Sequence, residues 1–188
     1  LAEGDDRKME VYQTITHYFP QSQVAANNTA VLYLRQDRPE EARKVLERVK
    51  DFSPEMLNTM AATYVYRDDY ERAVELLQDV QLPEARYNLG LLKAKQRKLQ
   101  EAYELLRPFG DLNSAIAALS VRQDEEAKAM LDKLDDPSPR AEYARAIACA
   151  RLGDTAAARE HLEKACADES LARRAATDPE FIANHIQP

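Results

Sequence analysis

Apolar residues recur along the chain at helical spacing, and small residues interrupt them at regular places. Ala42, Ala73, Ala102, Ala127 and Ala158 stand 31, 29, 25 and 31 residues apart, and each is followed four residues later by a leucine: Leu46, Leu77, Leu106, Leu131 and Leu162. Twelve residues before each alanine lies a second small residue, Ala30, Ala61, Gly90, Ala115 or Ala146. Between the two comes a polar or turn dipeptide: Asp37-Arg38, Asp68-Asp69, Arg97-Lys98, Gln123-Asp124 or Gly153-Asp154. Matching small residues let two antiparallel helices approach closely, where a large side chain would hold the backbones apart. The pattern predicts five helix hairpins, with helices over 22–36 and 39–50, 54–66 and 70–80, 83–96 and 99–107, 111–121 and 124–134, and 139–152 and 155–167.

The prolines agree with this division. Pro39 falls in the first turn of a helix, and Pro54, Pro83 and Pro139 open new hairpins, positions where the missing N–H leaves no bond unmade. Pro108 ends the sixth helix early and, with Gly110, tightens the link behind the short 25-residue spacing. No segment alternates with a period of two, so the fold class is all-α.

Tyr87-Asn88-Leu89-Gly90 followed by Ala102 and Leu106, Met60-Ala61 and Tyr64 followed by Ala73 and Leu77, and Ala30 and Tyr33 followed by Ala42, Leu46 and Pro54 resemble the tetratricopeptide repeat (TPR) family over about residues 22–169. The chain departs from that pattern in having no Trp, in Ser114, Ala115 and Ala118 of the fourth hairpin, and in Cys149 where a tyrosine is usual. The resemblance implies a right-handed α-solenoid of about five hairpins, residues 21–169. Residues 1–20 fit the second helix of a preceding partial repeat, and 170–188 a capping helix and tail. The stretch Cys166 to Phe181 also looks like the C-terminal repeat regions of Bacteroidota cell-envelope proteins that carry an OmpA-like domain. That likeness implies an envelope or periplasmic location with other domains elsewhere, the cytoplasm being the alternative, whereas the expectation that the chain continues N-terminally comes from Met9, Tyr12, Ile15 and Tyr18, which make the first helix too apolar for a polar cap.

Composition narrows the chemistry. A net charge of −7 repels phosphate backbones, so nucleic acid is not expected as a partner. The four glycines form no phosphate-cradling loop, and no eighteen apolar residues run together, so no membrane insertion of this segment is expected. Cys149 and Cys166 lie at different heights in the fifth hairpin, offset by roughly 12 Å along the helices, beyond the ~7 Å reach of a disulfide, which predicts two free, largely buried thiols. His17, His161 and His185 are scattered and read as surface residues. The acidic clusters Asp68-Asp69, Asp124-Glu125-Glu126 and Asp135-Asp136 sit at helix starts, where carboxylates cap backbone N–H groups. No catalytic constellation, cofactor or metal is expected.

The resemblance implies instead that the first helix of each hairpin lines a concave groove that holds a protein or peptide segment. The groove residues it assigns are Asn28, Arg35, Tyr66, Tyr87, Asn88, Lys95, Asn113, Arg140, Tyr143 and Arg151. Asparagine offers donors and an acceptor together and can hold an extended backbone, or it can bond a neighbouring helix instead. Arg35, Lys95, Arg140 and Arg151 would favour an acidic ligand, and the tyrosines add contact area at low entropic cost. The expected function is a non-catalytic protein-interaction scaffold; the alternative is a spacer or self-association element without a peptide ligand.

Overall fold

A computed structural model describes residues 2–187, and over them the chain is all-helical, with no strand. It divides into two compact units, one ending at Gln96 and one beginning at Arg97. The first contains α1 (Ala2–Tyr18), α2 (Gln23–Arg35), α3 (Pro39–Leu46), α4 (Pro54–Val65), α5 (Tyr70–Leu77) and α6 (Pro83–Lys95). The second contains α7 (Leu99–Leu106), a 3-10 turn (Arg107–Phe109), α8 (Leu112–Ser120), α9 (Asp124–Leu131), α10 (Pro139–Arg151), α11 (Thr155–Ala165), α12 (Glu169–Ala175) and α13 (Pro179–Ala183).

Helix pairs α2/α3 and α4/α5 pack as hairpins in the first unit, and α8/α9 and α10/α11 in the second. The five repeat alanines are at most 1% exposed, as are Ala30, Ala61, Ala115 and Ala146, and the leucines four residues on are at most 2% exposed. In the first unit α2 and α4 lie side by side, as do α4 and α6, while α3 and α5 each pass between successive members of that row. The second helices of the hairpins are shorter than their periodicity predicts. After Leu46 the backbone tightens into bonds of Arg48 N–H to Val45 O and Val49 N–H to Leu46 O, which still bury Val49.

Every hairpin turns on a residue five before its repeat alanine. Asp37, Asp68, Arg97, Arg122 and Gly153 all have left-handed backbones, with φ of 59°, 57°, 64°, 63° and 84°. In the first of these turns Arg38 N–H reaches Tyr33 O while Asp37 N–H reaches Leu34 O, and the turns at Asp68, Arg122 and Gly153 repeat both bonds. This is the Schellman arrangement, which satisfies the carbonyls at a helix end and normally takes glycine at the left-handed position. The fourth turn therefore sits on Arg122-Gln123, one residue before the dipeptide expected from the sequence, and only one of the five positions is glycine.

The second unit is tied together by Arg145. Its guanidinium, on a side chain only 13% exposed, donates to Leu131 O, Leu134 O, Asp136 O and Glu142 Oε1, at 3.1, 2.8, 2.8 and 2.6 Å. It thus closes the end of α9 and the loop that follows onto α10. Glu142 is buried and its other oxygen lies 2.7 Å from His161 Nδ1 on α11, so the expected surface histidine is an interhelical partner. Burial on its own would raise the Glu142 carboxyl, but the hydrogen bond and charge of His161, with Arg145, hold it below the usual carboxylate range. The closing segment is no loose tail either: residues 170–188 include both α13 and most of α12, and Ala175, Phe181 and Ile186 are buried in the core of the fifth hairpin.

Two stability effects follow. An added methyl at Gly153 meets no heavy atom within 4 Å, so Gly153→Ala acts on the backbone alone and should destabilise by about 1 kcal/mol, whereas Arg97→Gly should stabilise by about 0.5–1 kcal/mol, both read as urea midpoints. Glu142→Gln should lose about 3 kcal/mol at pH 7, because it leaves Arg145 buried without its charge partner. A depressed carboxyl stabilises the fold above the free glutamate value of about 4.3 and ceases to do so as pH falls below it. Thermal unfolding between pH 6 and 3 should therefore show a shallower acid loss in the Gln variant than in the unsubstituted chain.

Candidate interaction faces

Of the ten residues assigned to a groove, six fall in the unit ending at Gln96 and four in the other. In the first unit they stand on α2, α4 and α6, the helices that lie side by side. The asparagines there bond one another's helices. Thr59 Oγ1 donates to Asn27 Oδ1 at 2.7 Å, and Asn88 Nδ2 donates to Asn58 Oδ1 at 2.9 Å. In each case the residue two before the small notch residue of one helix reaches the residue three before the notch of the previous helix. Asn88 is thereby engaged in holding α6 to α4. Asn28 is half-buried and, among the described residues, has no side-chain hydrogen-bond partner.

Tyr66, at the end of α4, is 51% exposed, yet its hydroxyl donates to Leu34 O of α2 at 3.2 Å. The ring is fixed while one face stays open. Val24 and Val65 on the same helices are also exposed; the sequence reading overlooked them, although helical spacing places Val24 in register with Asn27 and Val65 with Ala62. Arg35 is exposed and lies 3.8 Å from Asp5 Oδ1 on α1. Lys95 is exposed at the end of α6, and Tyr87 is half-buried on the same helix. This unit also holds a cleft of about 370 Å³ among α1, α2 and α3, rimmed by His17, Lys44 and Arg48, which nothing in the sequence pattern marks.

The second unit departs from expectation. Asn113 accepts from Arg140 at 3.0 Å, so the amide of α8 steadies a side chain of α10. Tyr143 is not a groove residue open to a ligand: it is 4% exposed, its ring meets Phe181 edge-on at 5.4 Å, and its hydroxyl donates to Asp178 Oδ2 at 2.8 Å. Burial and the adjacent Asp178 push that phenol well above its ordinary value. Arg151 is likewise taken up, donating to Leu119 O at 2.7 Å and pairing with Asp124 at 3.0 Å and with Glu180 at 2.9 Å. The face of α10 expected to bind a ligand is covered by the chain's own α13. The expected preference for an acidic ligand therefore loses Arg151 as an open cation.

The acidic clusters divide. Asp69 caps α5 and Asp136 accepts from Ser138 N–H, as their positions predict, but Asp124 pairs with Arg151, and Glu126 accepts from the Tyr103 hydroxyl at 2.6 Å and from Arg107 at 2.7 Å. The Tyr103 and Arg107 hydrogen bonds hold the Glu126 carboxyl below its usual value. Cys149 is buried and Cys166 half-buried, both free, and burial raises both thiols, which lowers the thiolate fraction on which reactivity depends. Among the described residues no three His, Cys, Asp or Glu side chains converge as a metal site, and no helix is long and apolar enough to cross a membrane.

Two tetratricopeptide-repeat profiles match the chain, over residues 10–56 and over residues 139–164. Neither is an enzyme family, and no curated protein matches. Among solved structures the chain is similar to YrrB, described as a TPR protein with an unusual peptide-binding site, with a TM-score of 0.72 and 16% identity over 90% of this chain and 100% of that one. It is similar to MamA of Desulfovibrio magneticus RS-1, with a TM-score of 0.61 and 22% identity over 89% of this chain and 96% of that one. A third similar structure, from the APC/C hetero-tetramer Cut9-Hcn1, has a TM-score of 0.70 and 13% identity, covering 97% of this chain and 39% of that one. Identities this low speak to the fold, and the comparisons give no support to the Bacteroidota OmpA-like origin expected from the closing stretch. Two stretches of the chain, residues 10–56 and 139–164, thus match tetratricopeptide-repeat models, and its fold is similar to that of the solved TPR protein YrrB over 90% of the chain.

Proposed function

We propose that the row of α2, α4 and α6 is a docking face for an extended segment of a partner protein, and that the chain works as a non-catalytic interaction scaffold. TPR proteins in general mediate protein–protein contacts, and YrrB has a peptide-binding site. The observation that carries the proposal is Tyr66: an aromatic ring half open to solvent and locked by its own hydroxyl, next in sequence to exposed Val65, on a row of helices that also carries exposed Val24 and the half-buried amide of Asn28 further along α2. Rigid aromatic surface gives contact area without ordering cost, and a free amide pairs with a peptide backbone. The net charge of −7 favours a protein over a nucleic acid as the partner. The envelope location is a separate proposal resting on the likeness of Cys166–Phe181 alone; fractionation of the source cells should find the chain with the envelope, and a purely cytosolic chain contradicts it.

Selection from a random dodecapeptide display library on the full chain tests the docking face. A consensus should emerge whose affinity falls at least tenfold with Tyr66→Ala and also falls with Asn28→Ala, both variants keeping the parent Tm within a few degrees. Failure to enrich any sequence, or an affinity indifferent to both substitutions, contradicts the proposal and favours a spacer.

A further inference from the structure

One side of α10 is covered by a short closing segment that adds to its buried Phe181 and Ile186 a set of polar contacts of the kind a bound peptide makes. Asp178 accepts from the Tyr143 hydroxyl, Glu180 receives Arg151 at 2.9 Å and Arg122 at 3.0 Å, and the Phe181 ring, 1% exposed, sits against the Tyr143 edge. Ile186 closes the far end at 4% exposure, and Arg159 of α11 donates to His185 O at 3.3 Å. Two carboxylates and one aromatic ring within four residues, Asp178-Pro179-Glu180-Phe181, thus meet one phenol, two guanidinium groups and one ring edge.

The basic part of the receiving side is held without help from the segment. Arg151 is aimed by Asp124 and Leu119 O, so its position does not depend on Glu180. Tyr143 stands eight residues earlier on α10, about 12 Å along the same helix, and both are held by the hairpin of α10 with α11. By contrast α13 has five residues, too few to form a helix alone in water, and it is ordered only while seated. A basic and aromatic seat holding a short acidic and aromatic segment has the chemistry of a site and its ligand, with the segment drawn from the end of the described chain.

We propose that the Tyr143–Arg151 face of α10 is an exchangeable docking site for acidic–aromatic protein segments of the Asp-Pro-Glu-Phe kind, and that Asp178–Ile186 is the occupant the chain supplies for itself. The site belongs to the second unit and does not depend on the docking face of α2, α4 and α6. A partner segment of this chemistry competes with a tethered ligand, whose effective concentration is millimolar, so it binds the intact chain weakly and a chain with a disabled tail well.

The probe is a fluorescent peptide of residues 177–188, titrated against the full chain and against the full-length double variant Glu180→Ala, Phe181→Ala. The variant should bind the peptide at least tenfold more tightly than the unsubstituted chain, and Arg151→Met added to it, or Phe181→Ala made in the peptide, should remove at least tenfold of that affinity. Equal binding by variant and unsubstituted chain, or binding indifferent to both further changes, overturns the proposal. Hydrogen exchange on the unsubstituted chain gives a reading that needs no variant. Amides of 180–187 should exchange at least tenfold faster than those of α10 and α11, as one group; exchange at the same rate as α10 means the segment leaves only on unfolding and overturns the proposal.

Discussion

The close approach of paired helices at small residues is the constraint on which everything else here rests. An alanine in one helix and an alanine or glycine twelve residues earlier give each hairpin its notch, and the leucine one turn further on fills the space beside it. Because these notches recur, the first helices of the early hairpins come to lie side by side, and their remaining faces are presented together. The turns carry a price for this regularity. Four of the five left-handed turn positions are Asp or Arg, and at Asp37, Asp68 and Arg122 the reversal is held by paired backbone bonds rather than by the easier backbone of glycine.

Polar side chains then decide which faces stay open. In the first unit the amides of Asn27, Asn58 and Asn88, with Thr59, join neighbouring helices, which leaves Tyr66 and the valines Val24 and Val65 exposed and Asn28 half-buried. In the second unit the strongest polar groups turn inward. Arg145 gathers three backbone carbonyls and Glu142, while Arg151 joins Asp124 to Glu180. Such groups are stabilising only as complete sets, since an unpaired buried charge is far more costly than an exposed one. Their effect is to fix α10 and shape its outer face into a seat, the same face that the closing segment occupies.

The periodic part of the structure was legible in the amino-acid sequence because it is written several times. Five alanines with five leucines and five small partners locate the hairpins to within a few residues, and Pro108 with Gly110 explains the short third spacing. The fourth turn was misplaced by one residue because Arg122 carries no sign of a left-handed backbone. What occurs once was not legible. Phe181 is a lone aromatic in a polar stretch, so nothing in its neighbourhood foretells that it is buried, and without it Tyr143 and Arg151 look like open groove positions. His161 and Glu142 lie nineteen residues apart with no motif between them, and only the packing of α10 on α11 brings them to 2.7 Å.

Ala158 offers the most direct measurement of the central claim, being fully buried where α10 and α11 meet. Urea unfolding of Ala158→Leu should show a loss of about 1–3 kcal/mol against the unsubstituted chain, because three added carbons have no room between the paired backbones. A chain with unchanged or greater stability would mean that the notch is not what holds the helices together.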